Sequence, residues 1–92
     1  MAGQIAKIKI LAVDMEDEMQ QFAVSTAAQA FESGRQEKEI ANQIKKAFDN
    51  QYQYVWNCVV GRDFGSHIVH QTKRYIFMSY FDSVFVLLWK SN

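Results

Sequence analysis

Ninety-two residues are enough for one domain spanning 1–92, and a chain this short buries only about 60–65% of the surface it exposes when unfolded. Apolar residues make up 49% and aromatic residues 14%, so either the core is dense or apolar surface is covered by a partner. Ten basic residues balance ten acidic ones, and the zero net charge excludes the electrostatic footprint of a nucleic-acid or anionic-membrane binder while favouring self-association. The single cysteine, Cys58, rules out an intrachain disulfide and reads as a small buried hydrophobe in a strand. The sequence shows no secretory apolar region and no run near the ~20 residues of a membrane span, which together point to the reducing cytosol.

Ile5 to Val13 alternates and predicts a first strand. Asp14 is placed to cap a following helix, with Glu16, Asp17 and Glu18 loading its first turn with negative charge. Met19, Phe22, Ala23, Thr26 and Ala30 fall on one face of that helix, and Gly34 suits its C-terminal end. A second helix is expected from about Gln36 to Asn50, with Ile40, Ala41, Ile44, Ala47 and Phe48 as its apolar stripe. Glu37 and Glu39 at its start and Lys45 and Lys46 near its end match the macrodipole. Short strands follow at Val55–Val60, Asp63–His70, Arg74–Tyr80 and Val84–Trp89, with a turn or bulge needed between Tyr80 and Phe81. The order β-α-α-β-β-β-β, with no repeats and no proline, predicts an α+β fold: two helices packed on an antiparallel β-sheet.

Catalytic signals are weak. His67 and His70 are three apart on a predicted strand, so they face opposite sides and do not converge on a metal. Cys58, His70 and Asp63 have no local context for a nucleophilic site. Gly61 and Gly65 are not followed by a helix whose N-terminus would hold a phosphate. The aromatic run Tyr75 to Phe81 lacks the basic excess and element order of an RNA-binding sheet. The reading is therefore of a non-enzyme with no cofactor, no metal, no nucleic acid and no membrane. What stands out is the hairpin around Gly61-Arg62. Its second strand, with Gly65-Ser66, is an edge to which another chain could add a strand.

The order Trp56-x-Cys58-x-Val60-Gly61-Arg62-x-Phe64-Gly65-Ser66 resembles the signature of the eight-kilodalton dynein light chains. Asp14-Met15, Glu18-Met19-Gln20-Gln21, Glu37-Lys38, Ile44-Lys45-Lys46, Phe48-Asp49 and Leu87-Leu88-x-Lys90-Ser91 also fall where that family has them. The resemblance implies a strand-exchanged homodimer acting as a non-catalytic hub. Each of its two grooves would bind a short linear motif of a partner protein as an added strand. It implies a light-chain subunit of a cytoplasmic, microtubule-associated dynein complex, with dynein intermediate or heavy chains among the partners. The alternative is a dedicated structural subunit of one dynein assembly, such as an axonemal one. Carried over, the peptide-binding residues are Glu37, Lys38, Arg62, Asp63, Phe64, Gly65, Ser66, His67, Ile68, Val69, His70, Tyr75 and Phe77, and the dimer interface includes Asn57 and Ser91. Five positions depart from the pattern. Asn57 replaces a histidine, Val69 a groove threonine and Ser79 an aromatic, and Leu11 and Ala12 replace polar residues. The turn Tyr80-Phe81-Asp82-Ser83 replaces a tight Leu-Gly turn with one extra residue.

Overall fold

A computed structural model describes residues 8–53, 55–62 and 74–91. The elements in chain order are β1 (Ile8–Asp14), α1 (Asp17–Glu32), α2 (Glu37–Tyr52), β2 (Trp56–Gly61), β3 (Tyr75–Tyr80) and β4 (Val84–Lys90). The strands form one sheet in the order β1-β3-β4-β2, and every pairing is antiparallel. This is the α+β fold expected from the sequence, with two helices on a four-stranded sheet. The expected strand Asp63–His70, and residues 5–7 of the first strand, lie outside the described residues.

Residues opposite one another in the ladders share a face of the sheet. Ile8, Ile76, Met78, Val86, Leu88 and Trp56 share the first face and join the core. The helices cover it. Ala23, Ala27 and Ala30 of α1 are fully buried, and Ile40, Ile44 and Phe48 of α2 recur at four-residue spacing. Small side chains on α1 let it pack closely on α2 and β1, while α2 fills the core with large ones. Phe22 packs on Phe48 at 5.1 Å and on Tyr52 at 5.6 Å between ring centroids, so the start of α1 meets the end of α2. The second face carries Asn57, Val59, Tyr75, Phe77, Ser79, Phe85, Leu87 and Trp89, largely apolar, and the buried residues of α1 and α2 cluster with the first face instead.

Two sequence expectations need correction. Asp14 does not cap α1, because β1 continues through it to pair with Tyr75. Glu16 takes the N-cap instead, with no side-chain hydrogen bond. Lys45 and Lys46 do not sit at the C-terminus of α2, because the helix runs on to Tyr52 and its last turn holds no basic residue. At the other ends the local signals hold. The Gln36 N–H donates to Glu39 Oε1 at 3.2 Å at the head of α2. Gly34, with φ of 72°, ends the α1 turn. The β3–β4 turn places Phe81 and Asp82 at φ of 56° and 57°, the geometry of a hairpin turn that usually takes Asn-Gly. Lys9 reaches this turn and pairs with Asp82 at 3.0 Å.

Asp49 joins α2 to the sheet. Its Oδ1 accepts the Trp56 N–H at 2.9 Å, and its Oδ2 accepts from Lys45 Nζ one helical turn earlier. Burial raises its pKa, but the bonds from Lys45 and the Trp56 N–H, together with the charges of Lys45 and Lys90, outweigh this and hold it below its ordinary 3.8. A carboxylate with a lowered folded pKa contributes stability that is complete above the unfolded value and is lost as pH falls through the folded one. Asp49→Asn should therefore cost about 1 kcal/mol at pH 7, discounted for the exposed Lys45, and almost nothing near pH 2. Urea unfolding of both proteins across this range checks it; a gap independent of pH would remove the charge from the account.

Candidate functional site

Beside α2 the sheet ends in β2, which pairs with β4 and with no other strand among the described residues. Trp56–Gly61 contains no charged side chain, and its six pairings with β4 run without a register shift. Flat, uncharged strand edges invite another strand. Val55 and Val59 are 47% and 39% exposed here. Between this edge and α2 lies a groove of about 850 Å³, lined by Gln36, Lys38, Glu39, Asn42 and Lys45 on the helix side and by Trp56–Val60 and Trp89 on the strand side. Its dimensions suit an extended segment, and an unbroken backbone edge on one wall supplies hydrogen-bonding groups for it.

Glu37 and Lys38 occupy the first turn of α2, where backbone N–H groups have no place in the helical ladder. Lys38 lines the groove, and Glu37 meets Arg62 just beyond β2, with Nε and Oε2 3.4 Å apart. Both side chains are substantially exposed, so this ion pair is worth at most about 1 kcal/mol; it marks where helix start and strand end come together. Asn57 and Ser91 are also brought together: the Asn57 amide donates to Ser91 Oγ at 2.6 Å, and the Ser91 N–H donates to the Val55 carbonyl at 2.8 Å. Asn57 lies on the second face of β2, and its bond holds the Ser91 hydroxyl beside it.

Tyr75 and Phe77 are placed differently. They lie on β3, separated from β2 by β4, and on the second face, so within one chain they do not line the groove with Lys38. Leu11 and Ala12 lie on β1, at the opposite edge of the sheet. Asp63, Phe64, Gly65, Ser66, His67, Ile68, Val69 and His70 lie outside the described residues. Sequence reasoning missed three contributors: Trp89 in the groove lining, Val59 on the open edge, and Asp49, which fixes the junction. The Lys45-x-x-x-Asp49 spacing was a readable signal for the last. Among the described residues two buried polar atoms have no hydrogen-bond partner, Trp56 Nε1 and Ser79 Oγ. Among the described residues no cluster of three or more His, Cys, Asp or Glu forms, and no helix is long and apolar enough to cross a membrane.

A model of the family described as dynein light chain type 1 matches residues 7–91. In three dimensions the chain is similar to the dynein light chain-like domain of a calcium-binding protein of Fasciola hepatica. The two are 23% identical with a TM-score of 0.77, over 94% of this chain and 93% of that one. It is also similar to the DLC-like domain of CsTAL3, 13% identical with a TM-score of 0.73, over 92% of this chain and 93% of that one. At these identities the two structures speak for the fold.

Cys58 lines the groove, and burial pushes its thiol well above the ordinary value of 9.0. A thiol held in the protonated form is a poor nucleophile. Reaction with a disulfide reagent at pH 8 should therefore run at least about a hundredfold slower in the folded protein than in urea. A rate near that of the unfolded chain would show that the thiol is ionised and accessible.

Proposed function

Because the chain belongs to the dynein light chain type 1 family, we propose that it is a non-catalytic homodimeric hub that takes up short linear motifs of other proteins as an added β-strand. The open, uncharged edge of β2 beside α2 is the observation that carries this reading. Strand addition draws its affinity from main-chain bonds and its selectivity from alternate side-chain pockets. The segment Asp63–His70 is proposed as the strand given to the second copy, so that it extends the partner's sheet and forms the floor of its groove. Arg62, Asp63, Phe64, Gly65, Ser66, His67, Ile68, Val69 and His70 would then line the client, with Glu37 and Lys38 at its end. Tyr75 and Phe77 would reach a groove only from the second copy.

Dimerisation also answers the composition of the second face. Phe77 and Phe85 stack there at 6.0 Å between centroids, beside Leu87 and Trp89. Leu87 is buried and Phe77, Phe85 and Trp89 are half-buried within one chain, so a second copy would complete the covering of this face. Within a cell we place the protein in the cytoplasm as a microtubule-associated light-chain subunit of a dynein complex. Affinity capture followed by mass spectrometry should return heavy or intermediate chains.

Sedimentation equilibrium at ~10 μM and neutral pH should give twice the chain mass of 10.7 kDa. A monomer would sink the dimer. An array of unrelated disordered segments should return several binders whose signals compete with one another. An array with none, around a protein that is dimeric, would leave a structural subunit and end the hub reading.

Ser91 offers a separate test, since its hydroxyl accepts from Asn57 on the proposed interface side. Ser91→Glu removes that bond's geometry and adds a charge next to an apolar face. The dimer dissociation constant should rise by about tenfold or more, and an unchanged value would place Ser91 outside the interface.

A further inference from the structure

We infer that the extra residue at Leu11 is a stop for strand addition: it blunts β1, so that the protein accepts a strand at β2 only and assembly ends with the closed dimer. The inference rests on the strand-addition reading above and adds to it the limit on assembly.

A sheet has two edges, and here they differ. The β2–β4 ladder is regular throughout, whereas the β1–β3 ladder shifts register between Ile10 and Ala12. Two residues of β1 therefore occupy the span of one on β3. Such a bulge bends and twists the strand and displaces the backbone groups on its outer side. The need for it is visible in the sequence. Ile8-Lys9-Ile10-Leu11-Ala12-Val13 is apolar and rich in β-formers, has no proline and carries one charge. A segment of this composition on an open edge is the kind that pairs with copies of itself. Ile10 and Leu11 are 39% and 45% exposed. Lys9 is the one charge in the segment, and its exposed ammonium leans on Asp82 at 3.0 Å at the end of the strand. Among the described residues no strand covers the outer side of β1. If both edges accepted strands, each copy would join two neighbours, and growth would continue instead of closing.

The register shows how to remove the device. With Leu11 deleted, Ile10 and Ala12 become neighbours, and their partners Met78 and Phe77 are already consecutive on β3. The ladder would then run unbroken from Ile8 to Asp14. Deleting Ala12 removes the extra residue equally and sets Leu11 opposite Phe77. Leu11→Thr keeps the bulge while removing an exposed apolar side chain, and separates shape from hydrophobicity.

The experiment is sedimentation velocity of the full chain and the three variants from about 5 to 100 μM, with circular dichroism and a melt to establish folding. Expected is a deletion variant that folds and whose weight-average mass at least doubles over this range, while the unaltered protein and Leu11→Thr keep a constant mass. The unaltered protein's own mass reports separately on the dimer, so a monomer there would fell the hub reading while the comparison with the deletions still decides this one. A folded deletion variant with the unaltered protein's mass at every concentration overturns the stop. So does failure of both deletions to fold, since the extra residue would then serve the packing of β1 itself.

Discussion

Asp49 fixes the relation between α2 and the edge of the sheet, and the groove depends on that relation. The carboxylate sits on the last turns of α2 and accepts the first N–H of β2, while Phe48 next to it packs against Trp56 at 4.8 Å between ring centroids. Gln53, at φ of 74°, turns the chain back between them. From Glu37 to Asp49 the helix rises about 18 Å, and from Trp56 to Arg62 a strand extends about 20 Å. The two lengths match, so helix and strand run back alongside each other and the far ends meet. That is where Glu37 and Arg62 lie 3.4 Å apart. The groove is thus bounded at one end by the part-buried Asp49 junction and at the other by an exposed ion pair. A ligand can displace the exposed pair at little cost, whereas the junction also carries Phe48 packed on the buried Trp56.

The sheet has an apolar second face, buried at Leu87 and half-buried at Phe77, Phe85 and Trp89, to which neither described helix turns its core, and an uncharged edge at β2. β2 has neither charge nor bulge. Each of these would be a liability alone. A second copy, as proposed, would meet both, which is a stronger argument than either feature by itself. The chain's zero net charge offers no long-range repulsion against that encounter.

The helices and their stripes were legible because helical burial repeats locally, every three or four residues, and the sequence carries the repeat. The strands expected at Val55–Val60, Arg74–Tyr80 and Val84–Trp89 were legible from their β-branched and aromatic content, to within a residue at each end. Strand order was not, because β3 and β4 insert between β1 and β2 through long-range pairing that no local pattern encodes. For the same reason the positions of Tyr75 and Phe77 relative to Lys38 could not be read. The bulge was hidden: Ile8 and Ile10 share a face, as alternation requires, and nothing in Leu11-Ala12 marks the break. Asp14 was misread because β1 runs through it to pair with Tyr75, and Lys45 and Lys46 because the helix runs two residues past the expected Asn50 to Tyr52.

The groove's charges bear on how selective it can be. Glu39 accepts the Gln36 N–H, Glu37 meets Arg62, and Lys45 is held by Asp49. Lys38 is the remaining charged residue of the lining, exposed and without an ion pair among the described residues. Most of the discriminating power of a charged pocket is therefore already committed to the protein's own contacts. What stays available is orphan N–H groups at the helix start and apolar surface from Val59 and Trp89, with the strand-side backbone supplied, on the hub reading, by the segment given from the second copy. Backbone recognition is indifferent to client sequence, and apolar contact discriminates by only about 1–3 kcal/mol per methylene-scale difference. A groove built this way favours breadth over affinity. Two such grooves on one rigid dimer would recover affinity by making the second binding event intramolecular, so on the hub reading the dimer is what makes weak, permissive sites useful.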